Sequence, residues 1–234
     1  MEKEFLTQHS LRANKKKRKL FTIALVFFLL VGGGLFFALK GSLDMSDPQD
    51  SKLVIMLGIL VGILLLSVTY ELISSILPAK NGKNLILPFK NESKAEAADR
   101  INSEIADGKL SVDESMGDTG ERVYLTASYL LLDNGMGKIT VIPRDKIYWF
   151  CAQVGIKGLS SYVVRLQIFT ELKMFYMDAA DIPHTEEVAQ KLYEHIPNIF
   201  SEYDPFEFSY MLETLYEKDR AGFLAFYEKE KNKE

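Results

Sequence analysis

Two long apolar runs, at residues 20–39 and 53–77, constrain the fold of this chain more than any other feature of its sequence. An α-helix rises about 1.5 Å per residue, so the first run is long enough to cross a hydrocarbon layer about 30 Å thick. The second run contains one charged residue, Glu71, which lies near its inner end rather than at its centre, where a proton relay is expected. The sequence therefore predicts a transmembrane hairpin at 20–78, with helices at 20–39 and 53–77 and an outside loop at 40–52.

The distribution of basic residues around the hairpin predicts its orientation. Seven Lys and Arg precede the first run, two lie in the loop, and four follow closely at 80–94. Because Lys and Arg are retained on the cytoplasmic side, both termini are expected in the cytoplasm of a multi-pass cell-membrane protein. The first run is longer than a signal-peptide core and lacks a small-x-small cleavage site, so we interpret it as a retained anchor. The topogenic cluster in the basic tail 1–19 comprises Arg12, Lys15, Lys16, Lys17, Arg18 and Lys19.

Glycines fall at similar depths in the two predicted membrane helices. Gly32, Gly33 and Gly34 lie towards the outer end of the first helix, and Gly58 and Gly62 form a G-x-x-x-G pair in the second. Small residues let the backbones of lipid-embedded helices approach closely. We predict that these five residues pack helices together, either within the hairpin or between two copies of the chain.

Charge and motifs limit the function classes open to residues 79–234. This segment carries 19 Lys and Arg against 26 Asp and Glu, a net charge of −7, which disfavours nucleic acid and anionic lipid as partners. Cys151 is the sole cysteine, so an internal disulfide is excluded. We predict no catalytic residues, no cofactor and no metal; Asp178, Asp181 and His184 are better explained as a turn and helix cap.

The residues after the hairpin alternate between turn signals and short periodic segments. The linker 79–120 contains a predicted amphipathic helix at 93–107, opened by a capping box of Ser93 and Glu96. From residue 121 the period changes to two, and six or seven short strands follow as far as residue 177. Thr185 is the predicted N-cap of a helix that ends before Pro197. The pattern predicts an α+β domain at 121–200, a strongly bent antiparallel sheet or small barrel capped by a helix.

The order of these segments resembles the bacterial pleckstrin-homology-like (PH-like) domain. The resemblance rests on strands at 123–126 and 129–132, a third strand ending at Ile142-Pro143, a strand at 145–149, two further strands and a terminal helix. With the hairpin ahead of it, the chain resembles a family of two-helix membrane proteins of Gram-positive bacteria. The resemblance implies a non-catalytic binding or scaffolding module that recruits protein partners. The turn at 126–129 has no basic residue, so no phosphoinositide pocket is expected.

The sequence leaves a second function open. In this alternative the chain is an accessory subunit of a transporter or channel, and the hairpin carries out the transport function.

The sequence also leaves open what the C-terminal tail 201–234 packs against. This tail is predicted to be helical, beginning at the N-cap Asp204 and broken near Gly222. Its apolar residues either dock on the domain, lie on the membrane surface or capture a protein partner, and the membrane is disfavoured because acidic residues of the tail outnumber the nearby basic ones. This candidate partner surface comprises Leu212, Leu215, Tyr216, Phe223, Phe226 and Tyr227.

Overall fold

The computed structural model describes residues 5–42, 48–74, 82–117, 120–157 and 161–233. The chain divides into two compact units. The described part of the first, the helical unit, is 7–42 and 48–74, and that of the second, the α/β unit, is 5–6 together with the residues from 82 onward.

The helical unit contains α1 (Phe5–Ser42, which starts in the α/β unit) and α2 (Pro48–Ser74). By length and composition, Arg18–Leu35 in α1 and Pro48–Ile73 in α2 are each apolar enough to cross a membrane, and almost none of their side chains is buried. Helix α1 begins well before the predicted residue 20, because 5–19 is rich in helix-forming residues and contains neither Gly nor Pro. Helix α2 begins at Pro48 rather than residue 53, since proline suits the first helical turn.

Parts of the predicted hairpin and linker lie outside the described residues. These parts are the centre of the loop at 43–47, the end of the second helix near Pro78, and the start of the linker at 79.

The described residues of the α/β unit form eight strands, four helices and a short 3-10 turn. Its elements are β1 (Leu85–Ile86), α3 (Lys94–Ala106), β2 (Val112–Ser115), β3 (Arg122–Leu125), β4 (Tyr129–Asp133), β5 (Ile139–Pro143), the 3-10 turn (Arg144–Lys146), β6 (Ile147–Lys157), β7 (Ser161–Thr170), β8 (Met174–Ala179), α4 (Ile182–Tyr193), α5 (Pro205–Lys218) and α6 (Arg220–Lys231).

The strands form two open sheets. The five-stranded sheet has the order β1-β5-β4-β3-β2, in which β1 pairs parallel to β5 and the other neighbours are antiparallel. The three-stranded sheet is the antiparallel series β6-β7-β8. The sheet therefore does not begin at residue 121: β1 and β2 come from the predicted linker. They were missed because Leu85–Ile86 is two residues long and β2 reads Val-Asp-Glu-Ser, too short a pattern to show a period.

The main core lies between the two sheets and α4. Val123, Leu125, Phe150 and Leu166 are buried there with Val188 of α4. Helix α4, which packs on this core, begins earlier than predicted. The N-cap is Asp181, whose side chain accepts a hydrogen bond of 2.8 Å from the backbone N–H of His184. Thr185 lies inside the helix, and its hydroxyl donates to the carbonyl of Asp181 at 2.6 Å.

A second core lies on the outer face of the five-stranded sheet, under α3. The N-cap Ser93 and the capping box with Glu96 are confirmed. Ala98 and Ile101 of α3 pack with Tyr124, and the same cluster includes the buried Leu6. The ring of Phe5 meets Tyr124 edge-to-face, with 5.2 Å between ring centroids.

A third core, which we call the aromatic core, lies on the outer face of the three-stranded sheet, under α5 and α6. The outward-facing Trp149 and Phe169 pack there with Phe200, Phe208 and Phe223. The indole of Trp149 lies 5.5 Å from the ring of Phe208, and its N–H donates to Asn198 at 3.1 Å. The helix break comes at Asp219, the N-cap of α6, rather than at Gly222. Most of both faces of each sheet is thus covered by the chain itself, whereas Tyr162 at the start of β7 is 82% exposed.

Candidate functional site

All six residues of the predicted basic cluster lie within α1. The side chains of Arg12, Lys15, Arg18 and Lys19 are exposed, whereas those of Lys16 and Lys17 are outside the described part of the structure. The cluster thus continues directly into the first apolar segment without a break in the helix.

The structure brings four of the five predicted packing glycines together. Gly32, Gly33, Gly58 and Gly62 line one groove of about 270 Å³ between α1 and α2. A Cβ on Gly32 would lie 3.3 Å from a methyl carbon of Val61, so the two helices approach closely at that point. A Cβ on Gly33, Gly34 or Gly62 would meet no atom of the described chain within 4 Å.

The candidate partner surface on the C-terminal tail is not a free surface. Leu212, Tyr216 and Phe223 are buried in the aromatic core, and Leu215, Phe226 and Tyr227 pack half-buried against it. Tyr216 also donates a hydrogen bond of 2.6 Å to the carbonyl of Thr170. The six residues therefore dock on the three-stranded sheet, which is one of the alternatives left open by the sequence. This burial stabilises the fold, because it removes large apolar side chains from water.

A polar network holds α5 against the three-stranded sheet. Glu213 of α5 accepts hydrogen bonds from Gln153 at 3.0 Å and from the hydroxyl of Tyr176 at 3.2 Å. Arg165 donates to the side-chain oxygen Oε1 of Gln153 at 2.9 and 3.2 Å and lies 3.9 Å from the ring centroid of Tyr176. A Cβ at Gly155 would lie 2.6 Å from the guanidinium carbon of Arg165, so glycine leaves room for it there. Burial, followed by the charge of Glu213, raises the pKa of Tyr176 to about 12.

A pocket of about 410 Å³, here called the sheet-end pocket, opens at one end of the five-stranded sheet. It lies where the start of α3, the β3–β4 turn and the β5–β6 turn meet. Its walls comprise Asn91, Glu92, Arg100, Ala127, Ser128, Tyr129, Pro143, Arg144 and Asp145. No sequence motif pointed to this pocket, because its residues come from three separate segments.

Neutral donors bind two carboxylates in and around the pocket, Glu92 and Glu104. The Tyr129 hydroxyl bonds both oxygens of Glu92, at 2.6 and 2.8 Å, and its pKa is raised by burial and then by that bond, so it stays protonated. Glu104 accepts from both the backbone N–H and the hydroxyl of Ser128. Burial acts to raise the pKa of Glu104, but the hydrogen bonds from Ser128 and Thr126 outweigh it and hold the pKa below its usual value.

The two arginines of the pocket differ in what they bind. Arg144 donates to the backbone carbonyls of Ala127, at 3.3 Å, and of His195. Arg100 is exposed and lies 5.9 Å above the ring of Tyr129, but among the described residues its guanidinium makes no hydrogen bond and no ion pair. The turn at 126–129, which contains no basic residue, is therefore flanked by two arginines from elsewhere in the chain.

The remaining titratable candidates have structural partners. Asp181 caps α4, and a ring nitrogen of His184 lies 2.5 Å from the carbonyl of Ser115. Within the described ranges, His, Cys, Asp and Glu side chains form no group of three or more suited to a metal ion. Cys151 is buried, and desolvation raises the pKa of its thiol, which leaves it unreactive.

Comparison of the chain with family models, with curated proteins and with solved structures gives no match.

Proposed function

We propose that this chain is a multi-pass protein of the cell membrane, whose hairpin anchors a cytoplasmic PH-like module. The module binds or scaffolds protein partners and catalyses no reaction. The proposal includes kinship with the two-helix membrane proteins of Gram-positive bacteria that the sequence resembles.

The main support for membrane anchoring is the position of the exposed hydrophobic side chains. Most of the large ones on the described residues lie on α1 and α2; Leu30, Phe37, Met56 and Leu66 are each more than 70% exposed. Monomeric soluble proteins rarely expose apolar patches of this extent, because water penalises them. A bilayer provides the apolar surroundings that these side chains lack.

Support for the topology comes from connectivity. Residues 5–6 and the residues from 82 onward belong to the same compact unit, so the chain leaves that unit for the hairpin and returns to it. Two spans, an even number, bring the chain back to the same side of a membrane. The exposed basic residues between Arg12 and Lys19 favour the cytoplasm as that side.

Support for the PH-like module comes from the order of its elements. Strands β2 to β5 follow one another as an antiparallel series, β6 to β8 form a second series, and α4 then packs on the core between the sheets. The order of β3 to β8 and α4 supports the PH-like proposal, because the resemblance of 121–200 implies strands followed by one helix. The strands β1 and β2 and the helices α3, α5 and α6 are additions to that module.

Engineered cysteines test the orientation of the chain in the membrane. The native Cys151 is buried, so we expect it to contribute little labelling of its own. Gly41→Cys lies at the outer end of α1, and Glu186→Cys is exposed on α4. We expect an impermeant maleimide to label Gly41→Cys on intact cells and Glu186→Cys after permeabilisation. Labelling of Glu186→Cys on intact cells would overturn the orientation, and extraction of the chain by alkaline carbonate without detergent would overturn the anchoring.

Protein binding is tested at the exposed side of α5, because most of both faces of each sheet is covered. Met211 is 51% exposed there. We expect Met211→Arg to reduce the set of proteins that co-purify in mild detergent. Met136→Arg, at a residue 52% exposed on the β4–β5 turn, is the matched control. An unchanged set of proteins with Met211→Arg would contradict partner binding at this surface.

A further inference from the structure

The sheet-end pocket contains an arginine whose hydrogen-bonding capacity is unused. Three carboxylates surround Arg100: Glu92 in the pocket, and Glu96 and Glu104 one turn away on either side along α3. Each of them is bonded by a neutral group, the Tyr129 hydroxyl, the Ser93 N–H and Ser128 respectively. The planar guanidinium of Arg100 is thus left facing the pocket, and such a fork matches a carboxylate or phosphate.

The charge around the pocket distinguishes between these two ligands. The lining is neutral overall, because Arg100 and Arg144 contribute two positive charges and Glu92 and Asp145 contribute two negative ones. An unaccompanied phosphate would bring about two further negative charges that this lining does not compensate. A carboxylate that carries its own cation on the same molecule avoids that penalty.

Acceptors for such a cation are present in the same pocket. Asp145 is exposed at its wall and makes no hydrogen bond within the described residues. The Tyr129 hydroxyl supplies one proton to the two oxygens of Glu92, and a carboxylate has about four acceptor positions, so Glu92 retains capacity for an ammonium. The volume of about 410 Å³ lies in the range of small-molecule sites.

We propose that the sheet-end pocket binds a small peptide-like zwitterion, with the ligand carboxylate on Arg100 and the ligand ammonium against Glu92 and Asp145. Every residue involved belongs to the α/β unit. The inference therefore goes beyond the proposed function and does not depend on membrane insertion or on protein partners.

Isothermal titration of the full chain in detergent with the dipeptide Ala-Ala tests the proposal. We expect saturable binding that weakens by at least about tenfold for N-acetyl-Ala-Ala, which lacks the ammonium, and for Ala-Ala-amide, which lacks the carboxylate. Phosphoethanolamine, the zwitterion of a lipid headgroup, is the fourth ligand. Preferential binding of phosphoethanolamine would overturn the carboxylate assignment, and absence of Ala-Ala binding would overturn the site.

Variants locate the binding. Arg100→Gln and Asp145→Asn are each expected to weaken Ala-Ala binding by about tenfold. Neither side chain makes a hydrogen bond within the described chain, so both variants should melt like the wild type. Arg122→Gln removes the same charge from β3, where Arg122 pairs with Asp113, and should change the affinity less than about twofold. Equal weakening by Arg122→Gln and Arg100→Gln would show nonspecific charge attraction and refute the assignment.

Discussion

The backbone N–H of Leu6 donates a hydrogen bond of 3.1 Å to Oδ1 of Asn102, a residue 96 positions later on α3. The first N–H groups of a helix have no partner within it, so Asn102 caps the start of α1 from another element. Leu6 is 4% exposed, and this contact joins residues on either side of the helical hairpin in the sequence.

Burial of residue 6 predicts slow thiol chemistry at that position. In the full chain in detergent, Leu6→Cys should react with a maleimide about tenfold more slowly than Arg12→Cys, which is exposed, because a buried thiol is less accessible and less ionised. Adding Asn102→Ala should speed labelling of Leu6→Cys without affecting Arg12→Cys. Equal rates for the two single variants would contradict docking of the N-terminal residues.

Docking of α5 predicts a large difference between two adjacent residues. Leu212→Ala should lower the free energy of unfolding of the α/β unit by about 2–5 kcal/mol, because Leu212 is fully buried. Met211→Ala, at an exposed neighbour, should change it by less than about 0.5 kcal/mol. Trp149, the single tryptophan, lies in the aromatic core and reports unfolding in urea by fluorescence. Equal effects of the two variants would argue against the docked position.

The hydrogen bonds to Glu104 predict a pH dependence of stability. A carboxyl whose pKa is lowered by folding stabilises the protein above its unfolded pKa, and this contribution is lost as the pH falls through the folded pKa. The wild type should therefore lose more stability than Glu104→Gln between pH 7 and about pH 3.5. Urea midpoints at both pH values measure the difference, with Glu186→Gln on the exposed side of α4 as control. Parallel losses in wild type and Glu104→Gln would refute this contribution.

The close approach of Arg165 to Gly155 predicts a coupled pair of substitutions. Gly155→Ala should cost about 1–3 kcal/mol, since the new methyl group displaces Arg165 from Gln153 and Tyr176. In an Arg165→Ala background the same substitution should cost almost nothing, which a double-mutant cycle in urea measures. Additive costs would mean that Gly155 is required for its backbone rather than for the space it leaves.

Local signals in the sequence predicted two helix caps correctly and misplaced a third, the N-cap of α4, at Thr185 instead of Asp181. The capping box at Ser93 and the cap at Asp204, whose side chain accepts from Glu207, depend on residues three apart. The alternation expected in β3 is present, because Val123 and Leu125 face the main core and Tyr124 faces α3. The sequence did not show that both faces of this strand are buried, since a polar second face is the usual sign of exposure to water.

Long-range features could not be predicted in this way. Leu6 packs on residues about a hundred positions away, and Arg100 and Arg144 reach the same pocket from different elements. Pairing of β1 with β5 depends on two residues whose hydrophobicity shows no period. Such contacts follow from the arrangement of whole sheets and helices rather than from any spacing along the chain.

The position of α5 and α6 after the sheet has a consequence for synthesis on the ribosome. Phe169 is translated about forty residues before Phe208, which later covers it in the aromatic core. At roughly 5–20 residues per second, the outer face of β6–β8 waits about 2–8 seconds for its cover. During that interval a nascent chain presents an uncovered aromatic surface, so chaperone capture should concentrate on ribosomes that have passed β8 and not yet completed α5.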